Sequence, residues 1–239
     1  MKTLLTLVLA AASLAAAAQS QPVALAAVSA PVLPAAASAA APDAFTALLA
    51  ATVAEQTAAT TPAAVQANLA KLERAAAAAP TAWEPRYYQA RGYLKLGFAG
   101  QDDDEKDRLF DRAQAALDVA KKLPGADQAE VLVLQAYLYQ GRIMVSPMTR
   151  GVVYTGRVQE ALGQAKALAP TNPRVYLLLA NDLYYRPAMF GGGPAKAKPL
   201  YEQAKGLFAT FRPATALTPT WGEKNVDASL AQINAPAPK

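Results

Sequence analysis

A repeat with a period of 44 residues is the feature that most constrains the fold of this chain. Tyr88, Leu132 and Tyr176 follow one another at this spacing. Each is followed four positions later by a small residue, namely Gly92, Ala136 and Ala180. On a helix, residues four apart share a face, so the small residue lets a neighbouring helix approach closely while the bulky one fills the gap above it. Repetition of this pair in alternating helices is typical of stacked helical hairpins.

The helices between these bulky-small pairs carry a second, alanine-rich motif. It reads Ala120-Lys121-Lys122-Leu123, Ala165-Lys166-Ala167-Leu168 and Ala204-Lys205-Gly206-Leu207. An alanine-rich helical bundle could produce one such coincidence. We favour a repeat because the proline, aromatic and small-residue positions agree together.

Prolines and glycines divide the chain into nine predicted helices. Three of these prolines, Pro62, Pro85 and Pro173, stand in the first turn of a helix, where the missing N–H costs nothing. Others close helices, because the residue before proline leaves the α region. No segment alternates convincingly as a strand does. The predicted bounds are 43–58, 62–79, 84–97, 103–123, 126–144, 149–169, 172–186, 194–211 and 221–233.

The N-terminal residues predict export. Lys2 precedes a short leucine-rich stretch, and Ala16-Ala17-Ala18 provides the small residues of a cleavage site, so residues 1–18 are predicted to be a signal peptide. The apolar stretch is too short for a membrane span. Residues 19–42 are uncharged and rich in alanine and proline, which predicts a disordered linker before a helical repeat domain at 43–239. The expected location is the periplasm or the medium.

Composition excludes several chemistries. The chain has no His and no Cys, so it has no disulfide, no thiolate or Ser-His-Asp nucleophile and no imidazole ligand for a metal. Its 23 basic residues are scattered among 18 acidic ones rather than grouped in a basic stripe, which argues against a nucleic-acid partner. We expect no enzyme, no cofactor and no metal. A hydrolase that uses a pair of carboxylates is the remaining catalytic alternative.

Two motifs suggest ligand chemistry only superficially. The run Gly191-Gly192-Gly193-Pro194-Ala195-Lys196 lacks the spacing and the strand of a phosphate-binding loop, so we interpret it as a turn between helices. Its glycines would allow Phe190 to turn inward. The run Asp102-Asp103-Asp104-Glu105 lacks the pattern of a calcium loop and is expected to cap a helix.

The bulky-small first helix and the alanine-rich second helix together resemble the tetratricopeptide repeat. The C-terminal half, residues 148–222, resembles more closely a group of exported bacterial tetratricopeptide-like proteins of unknown activity. The segments that carry this resemblance are Met148-Thr149-Arg150-Gly151, Asn172-Pro173-Arg174, Phe190-Gly191-Gly192-Gly193 and Trp221-Gly222. It implies an all-α, right-handed solenoid of eight or nine helices, closed by a terminal helix that Trp221 packs against the last hairpin.

The resemblance also implies a binding groove lined by the first helices. It places towards that groove Arg86, Gln89, Tyr93, Glu130, Tyr137, Arg174, Asn181 and Tyr184. We therefore expect a protein-interaction or scaffold module of the cell envelope, which binds a protein or peptide through its concave face. The alternative is a small-molecule or glycan binder that uses the tyrosine-rich groove, since tyrosine offers a broad apolar face with a polar tip.

Overall fold

The computed structural model describes residues 43–235 of the chain. Within this range the prediction of an all-α fold is confirmed, because nine α-helices and one short 3-10 turn make up its regular structure and it contains no strand. The predicted signal peptide and linker lie outside the described residues. The helices are α1 (Ala44–Ala58), α2 (Pro62–Ala78), α3 (Glu84–Ala99), α4 (Asp103–Ala120), α5 (Gln128–Val145), α6 (Pro147–Leu168), α7 (Pro173–Tyr185), α8 (Pro194–Thr210) and α9 (Glu223–Asn234), with the 3-10 turn at Ala188–Phe190 between α7 and α8.

Side-chain caps and first-turn prolines set the helix starts. Asp102 accepts a hydrogen bond of 2.7 Å from the backbone N–H of Glu105, as a capping residue does. This is the role expected of that acidic run. Asn172 caps α7 in the same manner, and Pro173 occupies its first position.

The connection between α5 and α6 is shorter than predicted. Residues 145–148 fall between the predicted helices 126–144 and 149–169, but α6 begins at Pro147 and only Ser146 separates it from α5. Proline at the first helical position needs no hydrogen-bond acceptor for its nitrogen, so it starts a helix as readily as it ends one. The Ser146 Oγ lies 2.7 Å from Thr149 Oγ1 and closes this sharp corner.

The helices pack as successive hairpins. Helices α1/α2, α3/α4, α5/α6 and α7/α8 form the pairs, and α9 packs on α8. The first helices α1, α3, α5 and α7 also contact one another, and each of the last three contacts the second helix of the preceding pair. This stack is compatible with a helical repeat, whereas membership of the tetratricopeptide family and the hand of the solenoid stay predictions.

The core agrees with the interpretation of the two pairs that begin with tyrosine. Tyr88 and Tyr176 are buried, as are the small residues Gly92, Ala136 and Ala180, whereas Leu132 is only partly buried against the core. A Cβ added at Gly92 would lie 2.7 Å from the Leu69 side chain, so α2 approaches α3 as closely as a glycine permits.

Residues 211–222, which we name the crossing segment, run from α8 back to the first helices. The Leu217 carbonyl accepts a hydrogen bond of 2.9 Å from the hydroxyl of Tyr88 on α3. Buried Trp221 donates its indole N–H to the Tyr87 hydroxyl at 2.9 Å and stacks on Tyr137 of α5. The aromatic and hydrogen-bond partners of Trp221 thus lie on α3 and α5, beyond the last hairpin against which it was expected to pack.

Candidate functional site

Exposed apolar side chains are concentrated at one end of the α5/α6 and α7/α8 hairpins. Seven of the ten large apolar side chains that are exposed within residues 43–235 fall at 144–153 or 185–190. A cluster of exposed apolar side chains marks a binding site more often than single exposed residues do. We name six of them the methionine–aromatic surface: Met144 (40% exposed), Met148 (90%), Val152 (88%), Tyr185 (79%), Met189 (83%) and Phe190 (66%).

The packing of α6 on α7 brings these segments to the same end. Gln159 of α6 donates a hydrogen bond to Asp182 of α7. Met148 and Val152 lie eleven and seven residues before Gln159, and both spacings return to the same helical face. Because α7 ends at Tyr185, this face of α6 continues beyond the end of its neighbour. It is exposed there, on the side from which the α7–α8 loop departs.

The α7–α8 loop is folded back on α7 by its glycines. The Gly193 N–H donates to the Leu183 carbonyl at 2.8 Å. Gly191 and Gly193 have φ values of 78° and 105°, which other residues adopt only with strain. The glycine run is thus a turn, as expected. Phe190, however, is directed outward rather than inward, because its 3-10 turn presents Met189 and Phe190 to solvent.

Phe98, Tyr137 and Tyr184, which we name the aromatic layer, stand on the helices that lead to the exposed surface or beside it. Tyr137 stands seven residues before Met144 on the same face of α5 and stacks on Phe98, with ring centroids 4.5 Å apart. Tyr185 makes an edge contact with Tyr184 at 4.9 Å. Burial raises the pKa of Tyr137; the nearby Arg91 opposes this effect and Tyr185 adds slightly to it, so the phenol stays neutral over the physiological range.

Charged groups next to the methionine–aromatic surface partly neutralise one another. Arg186 follows Tyr185 and pairs with the carboxylate of Asp182, which Gln159 also contacts. Burial raises the pKa of Asp182, although Arg186 opposes this effect. A guanidinium has five N–H donors, and the ion pair with Asp182 engages one of them. Arg186 is also the basic residue closest in sequence to the exposed Tyr185 and Phe190.

The structure disperses the residues expected to line the groove. Arg86 donates to Gln89 at 3.0 Å, and Gln89 is buried. Tyr93 is buried too, donates to Glu73 of α2 at 3.0 Å, and lies under the guanidinium of Arg112. The partners of these three side chains are thus residues of α2, α3 and α4.

Glu130 and Arg174, from the same set, form a buried ion pair. Their side chains are 3% and 1% exposed, and the Arg174 Nε lies 3.0 Å from both carboxylate oxygens. Asn172 also donates to Glu130 at 2.6 Å, and the Tyr87 hydroxyl does so at 3.2 Å. These groups hold neighbouring hairpins together and are closed to a partner in this conformation.

The remaining three expected residues lie beside the methionine–aromatic surface. Tyr137 and Tyr184 belong to the aromatic layer described above, and Asn181 accepts a hydrogen bond of 2.7 Å from Tyr201. Burial raises the pKa of Tyr201 to about 12. Whether any of the eight residues binds a protein partner stays a prediction.

Sequence reasoning missed the methionines. Beyond Met1, the chain contains only Met144, Met148 and Met189, and all three belong to the exposed surface. Their restriction to 46 consecutive positions was visible in the sequence. The missing information was exposure, since methionine in a helical protein ordinarily fills gaps in the core.

Other candidate sites are weaker. A shallow depression of about 400 Å³ between α1 and α2 is lined mainly by alanines, and its charged groups Glu55 and Lys71 pair with each other at 2.5 Å. In residues 43–235, no group of three or more acidic side chains is placed to hold a metal ion. None of the described helices is long and apolar enough to cross a bilayer.

Comparison with known proteins finds similarity to a solved structure. No family model and no curated protein sequence matches the chain. Among solved structures, it is similar to the HusA haemophore from Porphyromonas gingivalis, with a TM-score of 0.71 and 29% sequence identity. The similarity covers 82% of this chain and 98% of that protein. The helical arrangement of this chain therefore also occurs in a haemophore.

Proposed function

We propose that this chain is exported and binds haem, or a closely related porphyrin, on the methionine–aromatic surface. The observation that carries the proposal is the coincidence of this exposed surface with a structural similarity to a haemophore. It favours the small-molecule alternative over a protein scaffold. In this proposal the chain carries its ligand without transforming it.

The chemistry of the surface fits such a ligand. A porphyrin is a broad, flat, largely apolar ring, and Phe190, Tyr185 and Val152 offer exposed apolar area against which it can be buried. Methionine adds a polarisable side chain that adapts to the shape of a ligand. The apolar contact accounts for affinity irrespective of the metal in the ring.

The available iron ligands are also restricted by composition. Haem proteins use His, Cys, Met or Tyr, and this chain has no His and no Cys. Any protein ligand of these types must therefore be methionine or tyrosine. The surface presents three methionines and Tyr185, and Arg186 beside it is suited to a propionate.

A titration of the full chain with haemin tests the proposal. We expect a shift of the porphyrin absorption band that saturates at a fixed stoichiometry. Val152→Asp should weaken binding about tenfold or more, because a carboxylate would have to be desolvated against the ring and would repel the propionates.

Leu48→Asp is the matched control, since Leu48 is an exposed apolar residue of α1 at the other end of the stack. Its affinity should equal that of the parent chain. Absence of saturable binding by the parent chain would exclude the function. Equal affinities of the Val152 and Leu48 variants would exclude the site.

A further inference from the structure

The methionines of this protein are placed unlike those of an ordinary helical domain. No methionine occurs in the buried core of residues 43–235, which consists of leucine, valine, alanine and aromatic side chains. Met144, Met148 and Met189 are all exposed, on the surface proposed to bind the porphyrin. The chain has no cysteine, so these three hold all the sulfur of its described part.

Exposed thioethers react with peroxides. The methionine sulfur attacks one oxygen of hydrogen peroxide, and the O–O bond breaks. The leaving hydroxide takes the proton of the oxygen now bound to sulfur and becomes water. The sulfur is oxidised by two electrons to a sulfoxide and the peroxide is reduced. No thiol competes for the oxidant within this chain.

Exposure also determines what the modification does. In the free chain a sulfoxide at these positions stays hydrated, so the fold loses no core packing. When a flat apolar ring covers the surface, the same sulfoxide must give up its water without gaining a donor, and an unsatisfied polar group opposes binding. Oxidation therefore acts on affinity and leaves folding unchanged.

We propose that Met144, Met148 and Met189 form a peroxide-responsive modification site whose oxidation releases the porphyrin. This inference rests on the proposed function, because the porphyrin is what the oxidised surface loses. Reduction of the sulfoxides by the two stereospecific methionine sulfoxide reductases restores the apolar surface.

The test uses iron-free protoporphyrin as the probe, so that peroxide does not react with an iron centre. The full chain is treated with hydrogen peroxide, and peptide mass spectrometry locates each sulfoxide. We expect oxidation at all three positions, about a tenfold or greater loss of porphyrin affinity, and an unchanged melting temperature. Treatment with both reductases should restore the affinity.

The matched variant is Met144→Leu/Met148→Leu/Met189→Leu, which keeps the surface apolar and cannot form sulfoxides there. Its affinity should not change with peroxide. Full oxidation without loss of affinity in the parent chain would overturn this inference alone. Equal loss in the leucine variant would also overturn it, because other residues would then be responsible. A parent chain that fails to bind the porphyrin before oxidation would overturn the proposed function together with this inference.

Discussion

Phe110 of α4 is held between two glycines, one on each neighbouring first helix. A Cβ added at Gly141 of α5 would lie 2.7 Å from the ring, and one added at Gly97 of α3 would clash with the same ring. The ring is completely buried, and the guanidinium of Arg142 lies over it at 5.8 Å from its centroid. The absence of two side chains thus makes the space in which one aromatic residue joins three helices.

This contact gives a prediction for Gly97→Ala. Although alanine favours helices, the added methyl group would force the Phe110 ring to move within a close-packed core. We expect a loss of about 1–3 kcal/mol in the free energy of unfolding, measured by urea denaturation.

Gly163→Ala is the control, because a Cβ there on α6 meets nothing within 4 Å. It should stabilise the protein by about 0.5–1 kcal/mol. If both substitutions proved stabilising, the Phe110 packing would be looser than the structure shows.

The 44-residue repeat explains why some charged side chains are neighbours. Glu130 and Arg174 are 44 residues apart, so they occupy the same position in adjacent hairpins and the sequence already implies that they are neighbours. The sequence did not reveal their burial. Both are charged residues, which usually lie at the surface, and only the pairing of the two makes burial tolerable.

At the scale of elements, ion pairs tie α6 to α4. Both Nη atoms of Arg150 donate to the carboxylate of Asp107, each at 2.6 Å, and Arg142 of α5 donates to the same group at 2.7 Å. Hydrogen bonding from Arg150 is the main cause that lowers the pKa of Asp107, and Arg142 adds to it. These bonds anchor the N-terminal part of α6, which carries Met148 and Val152.

Asp107→Asn should therefore have an effect that depends on pH. Because the folded pKa of Asp107 lies below its ordinary value of 3.8, its carboxylate contributes stability that is fully present above that value and is lost as the pH falls through the folded pKa. We expect the variant to be about 1 kcal/mol less stable at neutral pH. The difference should disappear in strong acid when unfolding is followed by circular dichroism.

A double-mutant cycle with Arg150→Gln provides the control for this prediction. In that background Asp107→Asn should cost less, because its main partner is already absent. A cost that is independent of both pH and Arg150 would mean that the carboxylate does not act through this ion pair.

At the scale of the whole molecule, the crossing segment changes what kind of stack this is. A simple helical repeat is stabilised by contacts between neighbouring units. Here Tyr88 and Leu217 are joined although they are 129 residues apart, and Tyr87 and Trp221 although they are 134 apart. The end of the chain is thereby coupled to the second hairpin as well as to the last one.

Trp221→Ala tests this coupling. Loss of the buried indole, its stacking on Tyr137 and its contact with Arg91 should cost about 3–5 kcal/mol. We also expect urea unfolding to become broader, with a smaller dependence on denaturant, because the hairpins would then unfold less cooperatively.

Phe190→Ala serves as the control, since this large aromatic residue is exposed and should leave both quantities unchanged. A Trp221 variant with parental stability and an equally sharp transition would show that the crossing segment does not stabilise the stack.

The sequence by itself determined the helices, the breaks between them and the register of the hairpins, because turn residues, caps and helical periodicity act over a few neighbouring residues. It therefore placed Tyr88 and Tyr176 in the core. Only the tertiary structure decided that the C-terminal segment crosses α3 and α5 and that Met148 and Met189 stay exposed. Both depend on contacts between distant parts of the chain. Trp221 donates its hydrogen bond to a residue 134 positions away, and α6 extends beyond the end of α7, so the face of α6 that carries Met148 is not covered there.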